Sequence, residues 1–227
     1  MGRKPSSLVY KGWCVFSKDL KSELRNRYAI NALLMFAVTT LVAVNFAVGQ
    51  FGLGEKLLAA LFWIVVFFSA LSGLAQTFIK EEETKTASTL KLVASPNSIY
   101  LGKLTFNIAL LFTLEVVIVP LFFLLSNVGG ANLLLFFGVL ILASLGLAAA
   151  TTLIAAIVSK AAVKGALFAA LSFPILLPLL VTAIRGTELS FRGEVFMSGF
   201  SELKILLSYL VVMIVASLML FDFVWSE

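Results

Sequence analysis

Four carboxylates stand out in a chain otherwise poor in charge. Glu81, Glu82 and Glu83 are consecutive, and Glu115 lies inside the long apolar run that follows. Twelve residues past Lys103, at 1.5 Å per residue, Glu115 would sit about 18 Å into a membrane. An acid at that depth is expensive and is a functional candidate by default. No Lys or Arg occurs at a similar depth, so its carboxyl is either protonated or hydrogen-bonded to Asn, Thr or backbone. Pro120 supplies one acceptor, because its missing N–H leaves the Val116 carbonyl without a helical donor. Glu115 and Pro120 are therefore candidates for a substrate path or a conformational switch, beside the plainer role of a polar contact between helices. Asp222 is the third such candidate. It falls near a helix C-terminus, where an anion is disfavoured. A cation such as Lys18 or Lys21, a residue on a partner protein, or solvation among headgroups would each accommodate it.

Other chemistries are excluded by inventory. The chain has no His and a single Cys, Cys14. It therefore lacks a ligand set for structural zinc, and no disulfide can form within it. No nucleophile–base pair can be assembled, so an enzyme is not expected. No GxxxxGK[ST] occurs; the one Gly-Lys, Gly102-Lys103, lacks both the upstream glycine and the following Ser/Thr. The chain cannot cradle nucleotide phosphates by that motif.

The elements that must position these residues are membrane helices. Of 227 residues 61% are hydrophobic and 13% charged, and the mean hydropathy is +1.07. Soluble domains are about half apolar and a quarter charged. Runs of about 20 apolar residues cross the hydrocarbon layer, and six qualify: 28–48, 57–79, 101–126, 132–159, 165–184 and 203–224. Their length and continuity predict helices, not barrel strands. The fold class is an all-α membrane protein, one transmembrane domain over 1–227. Small residues Ala143, Gly146, Ala150 and Thr151 predict close packing of span four, and Pro174 and Pro178 predict a kink in span five.

Charge sets the orientation. Thirteen of the seventeen basic residues fall on one side: seven before span one (Arg3 to Arg27), then Lys80, Lys85, Lys91, Lys103, Lys160 and Lys164. The other side has Lys56, Arg185, Arg192 and Lys204. By the positive-inside rule both termini are cytoplasmic, and no cleavable signal peptide is expected from the polar, basic start. The net charge of +5 follows this pattern, and no nucleic-acid partner is expected. Over 8–26, Val9, Trp13, Phe16, Leu20 and Leu24 share one helical face, with Lys11, Lys18, Lys21 and Arg25 opposite. Such a helix lies flat in the cytoplasmic interface with lipid as its partner, or packs on protein instead. Trp225 fits the aromatic belt.

The cytoplasmic segment 80–100 joins spans two and three. Its three acids suit the N-terminal end of a short helix. Ala87, Leu90, Val93 and Ala94 would give that helix an apolar face, and Ser95-Pro96 ends it. The expected shape is a docking element on two stalks, with Glu81, Glu82, Glu83, Ala87, Leu90, Val93 and Pro96 at the partner-binding surface; a solvated charged loop is the alternative. On the other side the external loop 185–203 mixes Leu189, Phe191, Phe196 and Phe200 with charge, which suits a half-buried re-entrant hairpin or an ordinary interfacial loop.

The acid cluster, then "TLKLVASP", "IYLGKLTFN" and "LEVVIVPLFF", with "KDLKSELRNR" before span one and "FDFVWSE" at the end, resembles the ABC-2 type ABC transporter permeases. Within them the haem exporter permease family of cytochrome c maturation, CcmB, is the nearest likeness over the whole chain. Where wider relatives often carry a glycine after the acids, this chain has Thr84, Lys85 and Thr86. The resemblance implies that 80–100 is the coupling loop seated on a separate CcmA-like ATPase subunit, which binds the ATP and magnesium. It also implies a homodimer in a bacterial inner membrane, haem as cargo or as the load of a released chaperone, and further cytochrome c maturation subunits as partners. No cofactor is expected on this chain, and without His it offers haem iron no imidazole. A permease for lipid or drug, or a membrane scaffold that moves no solute, remain open on the residues alone.

Overall fold

A computed structural model describes residues 8–25, 28–48, 54–126, 128–159, 161 and 163–226, which form nine α-helices and no strand. They are α1 (Leu8–Arg25), α2 (Tyr28–Val48), α3 (Glu55–Leu74), α4 (Gln76–Glu83), α5 (Ala87–Val93), α6 (Pro96–Ser126), α7 (Leu133–Val158), α8 (Lys164–Phe191) and α9 (Phe200–Ser226). Arg3, Lys4, Arg27 and Lys160 lie outside the described residues. Five helices are long and apolar enough to cross a membrane, α3 and α4 counting as one of 29 residues. α2, mostly apolar over 21 residues and about 31 Å long at the helical rise, gives a sixth candidate span when taken together with α1. The expected all-α membrane fold is the one observed.

α7 sits at the centre. It packs most extensively on α8 and α9 and also meets α6, α3 and α4. From Gly146 to Ala156 every residue is buried, as expected of a helix surrounded by helices. Small residues make this approach possible: a Cβ on Gly146 would lie 2.6 Å from Leu179 Cδ1 and 3.2 Å from Tyr209 Cδ1. The small face of span four therefore packs against α8 and α9 of the same chain.

Two span ends differ from expectation. α8 continues as helix through Pro174, Pro178 and on to Phe191, so the region 185–203 is mostly helical and not a non-helical loop. Its end is fastened to the turn before α7. The Asn132 N–H donates to the Ser190 carbonyl at 2.9 Å, and the Ser190 hydroxyl donates to the Asn132 carbonyl at 2.8 Å. Trp63 Nε1 donates to Thr187 at 2.8 Å, holding the same helix to α3. An aromatic cluster of Phe62, Phe122, Phe123, Phe136 and Phe191 fills this end of the bundle.

At the opposite end α3 runs into α4 with Ala75 still in right-handed helical geometry. Glu81, Glu82 and Glu83 therefore close a long helix and do not open a short one. Trp225 is also displaced from its expected place. It is buried, stacked on Phe221 with centroids 5.6 Å apart, and Lys91 Nζ lies 5.6 Å from its ring centroid. These contacts fix the end of α9 to the neighbourhood of α4 and α5.

Candidate functional site

α1 stands at 73° to α2 and packs along α6. Its protein-facing side is Gly12, Val15 and Asp19, one helical stripe at spacings of three and four. A Cβ on Gly102 would lie 2.6 Å from the Gly12 carbonyl oxygen and 2.7 Å from Val15 Cβ, so the two backbones touch. The apolar stripe points elsewhere: Val9, Trp13 and Leu24 are exposed, Phe16 and Leu20 half-buried. α1 thus packs on protein by its small residues while Val9 and Trp13 of its apolar face stay exposed, which suits a helix bedded in a lipid interface.

The contact line of α1 with α6 ends in a four-membered ion cluster. Lys103, on the second turn of α6, is 2% exposed. Its ammonium donates to Glu81 Oε1 at 2.7 Å and to the Thr77 carbonyl at 3.1 Å, and lies 2.9 Å from Asp19 Oδ2. Lys18 pairs with Glu81 and lies 3.2 Å from Asp19 Oδ1. Two cations and two carboxylates from α1, α4 and α6 therefore neutralise one another, with Lys18 alone open to solvent. Burial disfavours the Lys18 ammonium, but its hydrogen bond to Glu81 and the charges of Asp19 and Glu81 outweigh this and raise its pKa above 10.5. Lys103 was counted from the sequence as a loop cation; the structure makes it a buried one. The signal was weak, since nothing local to Gly102-Lys103 shows that Asp19 and Glu81 converge on it.

The cluster also holds the segment between α4 and α5. Thr86, the residue before α5, donates its hydroxyl to Glu81, and Thr84 bonds the Lys80 carbonyl at 2.7 Å. Between them Lys85 takes a left-handed conformation with φ 56°, the geometry that favours glycine. The region Thr84–Thr86 after the acids thus contains a left-handed turn. α5 ends when Ala94 turns extended, and Pro96 opens α6 at a position where a missing N–H costs nothing.

The exposed side of α5 differs from the one expected. Ala87 and Ala94 are buried and Leu90 packs against the core, whereas Leu92 is 89% and Val93 66% exposed. Of the expected partner-binding set, Glu81 is buried in the ion cluster, and Glu82 and Pro96 are half-buried. Glu83 and Val93 are exposed, as is Leu92, which the sequence reading had not singled out.

The intramembrane candidates separate. Glu115 is 3% exposed and accepts a hydrogen bond from Ser144 of α7, leaving Oε2 without a partner. The expected Val116 carbonyl is not its partner, because Ser144 reaches it from the packed neighbour. Pro120 is exposed within α6. A second polar chain lies nearer α1: Thr77 donates to Asn107 at 2.6 Å and Asn107 to Thr152 at 2.7 Å, joining α4, α6 and α7. Asp222 is exposed on α9 and makes no ion pair among the described residues. Lys18 is already engaged with Glu81 and Asp19, so it does not neutralise Asp222. No group of three or more metal-ligating side chains occurs among the described residues.

These features define a multi-pass, all-helical membrane protein with a short braced helix projecting from one end. A family model described as "CcmB protein" matches residues 11–226. The chain belongs to that family, the haem exporter permeases of cytochrome c maturation. No curated protein and no solved structure matches it. Membership makes the chain the membrane subunit of a transporter and implies association with an ABC ATPase.

Proposed function

We propose that this chain converts ATP hydrolysis on a separate CcmA-like subunit into haem export, or into release of a haem-loaded chaperone, through α5. One observation carries the reading. α5 presents Leu92 and Val93 outward while Thr86, Glu81, Lys103 and Asp19 tie its base to α4, α6 and α1. A displacement of α5 is then shared by three helices. In this reading α5 and both termini are cytoplasmic, the chain acts as a homodimer, and Glu115 with Pro120 marks where α6 can change shape. Any imidazole ligand to haem iron must come from a partner, because this chain has no histidine.

The test substitutes Leu92→Asp. Burying a leucine against a partner contributes about 1.5–3 kcal/mol, so affinity for the ATPase subunit should fall about tenfold to a hundredfold with folding intact. Leu90→Asp should also weaken docking but destabilise the chain, since Leu90 packs inward. Full affinity and activity in the Leu92 variant would refute the assignment. Deleting the chain should abolish c-type cytochromes while b-type haem persists; intact cytochromes with altered lipid or drug export would assign another cargo.

A further inference from the structure

A cleft of about 720 Å³ opens between α1, α2, α4 and α6, within the size range of small-molecule sites. Its lining is zoned. Near the α4 terminus it is lined by Lys18, Lys80, Glu23 and Glu83, and deeper by Ala32, Leu33, Phe106 and Leu110. From Lys103 to Leu110 along α6 is about 10 Å at the helical rise. A single cleft therefore passes from headgroup level into the hydrocarbon layer.

We propose that this cleft binds one zwitterionic, amine-bearing phospholipid of the phosphatidylethanolamine type. The charges select the headgroup. Three lysines and four carboxylates line the cleft, so an anionic lipid would add to a negative surplus. Lys80, whose side chain is 49% exposed and held by Glu23 only at 3.5 Å, can meet a phosphate. Glu83 is exposed and forms no ion pair among the described residues. Glu23 holds Lys80 only at 3.5 Å. These two carboxylates can accept hydrogen bonds from a primary ammonium, which a trimethylated headgroup cannot donate. The apolar floor takes the start of an acyl chain. The inference goes beyond the coupling role and does not depend on it.

The purified full-length chain in maltoside detergent is titrated with phosphatidylethanolamine, phosphatidylcholine or phosphatidylglycerol, and adducts are measured by native mass spectrometry. Phosphatidylethanolamine should be retained about fivefold over either other lipid, a difference of roughly 1 kcal/mol. Glu23→Gln with Glu83→Gln should bring it to parity with phosphatidylcholine. Ala32→Trp, at an exposed position on α2, should fill the floor and remove the adduct without disturbing the core. Equal retention of phosphatidylglycerol, an adduct that survives Ala32→Trp, or no adduct would overturn the proposal. Displacement by equimolar haemin would overturn it too, assigning the cleft to cargo.

Discussion

Substituting Lys103→Met probes the ion cluster most directly. The ammonium is 2% exposed and touches Glu81, Asp19 and the Thr77 carbonyl at 2.7, 2.9 and 3.1 Å. Removing it leaves two buried carboxylates sharing Lys18, whose side chain is 46% exposed. Breaking a buried pair costs about 3–5 kcal/mol, and the remaining lysine puts this case near the lower end, about 3 kcal/mol. Glu81→Gln leaves Lys103 with Asp19 and should cost about 2 kcal/mol, still more than an ordinary neutral hydrogen bond. The double variant restores balance with Lys18 against Asp19. It should lose only about 2 kcal/mol in total, a coupling of about 3 kcal/mol, at the top of the range for residues in one network. The assay is SDS-titrated unfolding in mixed micelles, followed by the fluorescence of Trp63 and Trp225. Additive losses, agreeing within about 0.5 kcal/mol as for independent sites, would show that Lys103 and Glu81 do not act as one cluster.

Two further outcomes follow from close contacts. Gly102→Ala places a methyl 2.6 Å from the Gly12 carbonyl oxygen, which backbone cannot yield to, so α1 must lift from α6 at a cost of about 1–3 kcal/mol. A spin label on Cys14, the single cysteine and exposed, should then gain mobility; an unchanged spectrum would contradict the packing described. Ser144→Ala removes the donor to Glu115 and leaves both carboxyl oxygens unpaired, costing about 1–3 kcal/mol. Glu115→Leu in the same chain should recover most of that loss in thermal stability, and failure to recover would mean that Ser144 contributes through packing alone.

The spans were legible because lipid leaves no alternative to long apolar helices. The ends were not, because polar residues can extend a helix once tertiary partners satisfy them. Glu81 prolongs α4 with Lys18 and Lys103 beside it, against the dipole preference that had placed the acids at a helix start. Asn132 and Ser190 prolong α8 in the same way, and Thr187 accepts a hydrogen bond from Trp63. The apolar stripe of α1 was visible in its periodicity. Its packing stripe was not, since Gly12 carries no hydropathy signal and its value lies in what it lets approach. Leu92 escaped notice because helical spacing groups residues on a face without saying which face turns outward. The left-handed turn at Lys85 was hidden by a residue type that seldom adopts it.

A cluster like that around Lys103 is a poor way to gain stability, since apolar residues of the same volume often do as well or better. Its contribution lies in geometry. Apolar surfaces tolerate sliding by a turn, whereas an ammonium held by Glu81, Asp19 and the Thr77 carbonyl is satisfied in one register only. The Gly12–Gly102 contact imposes the same register on α1 and α6 from the steric side, because neighbouring positions carry side chains that would hold the backbones apart. Ionic and steric constraints therefore select one arrangement of three helices, at the place where α5 leaves the bundle. In the coupling role proposed above, a partner pressing on Leu92 and Val93 would meet a base that cannot slide.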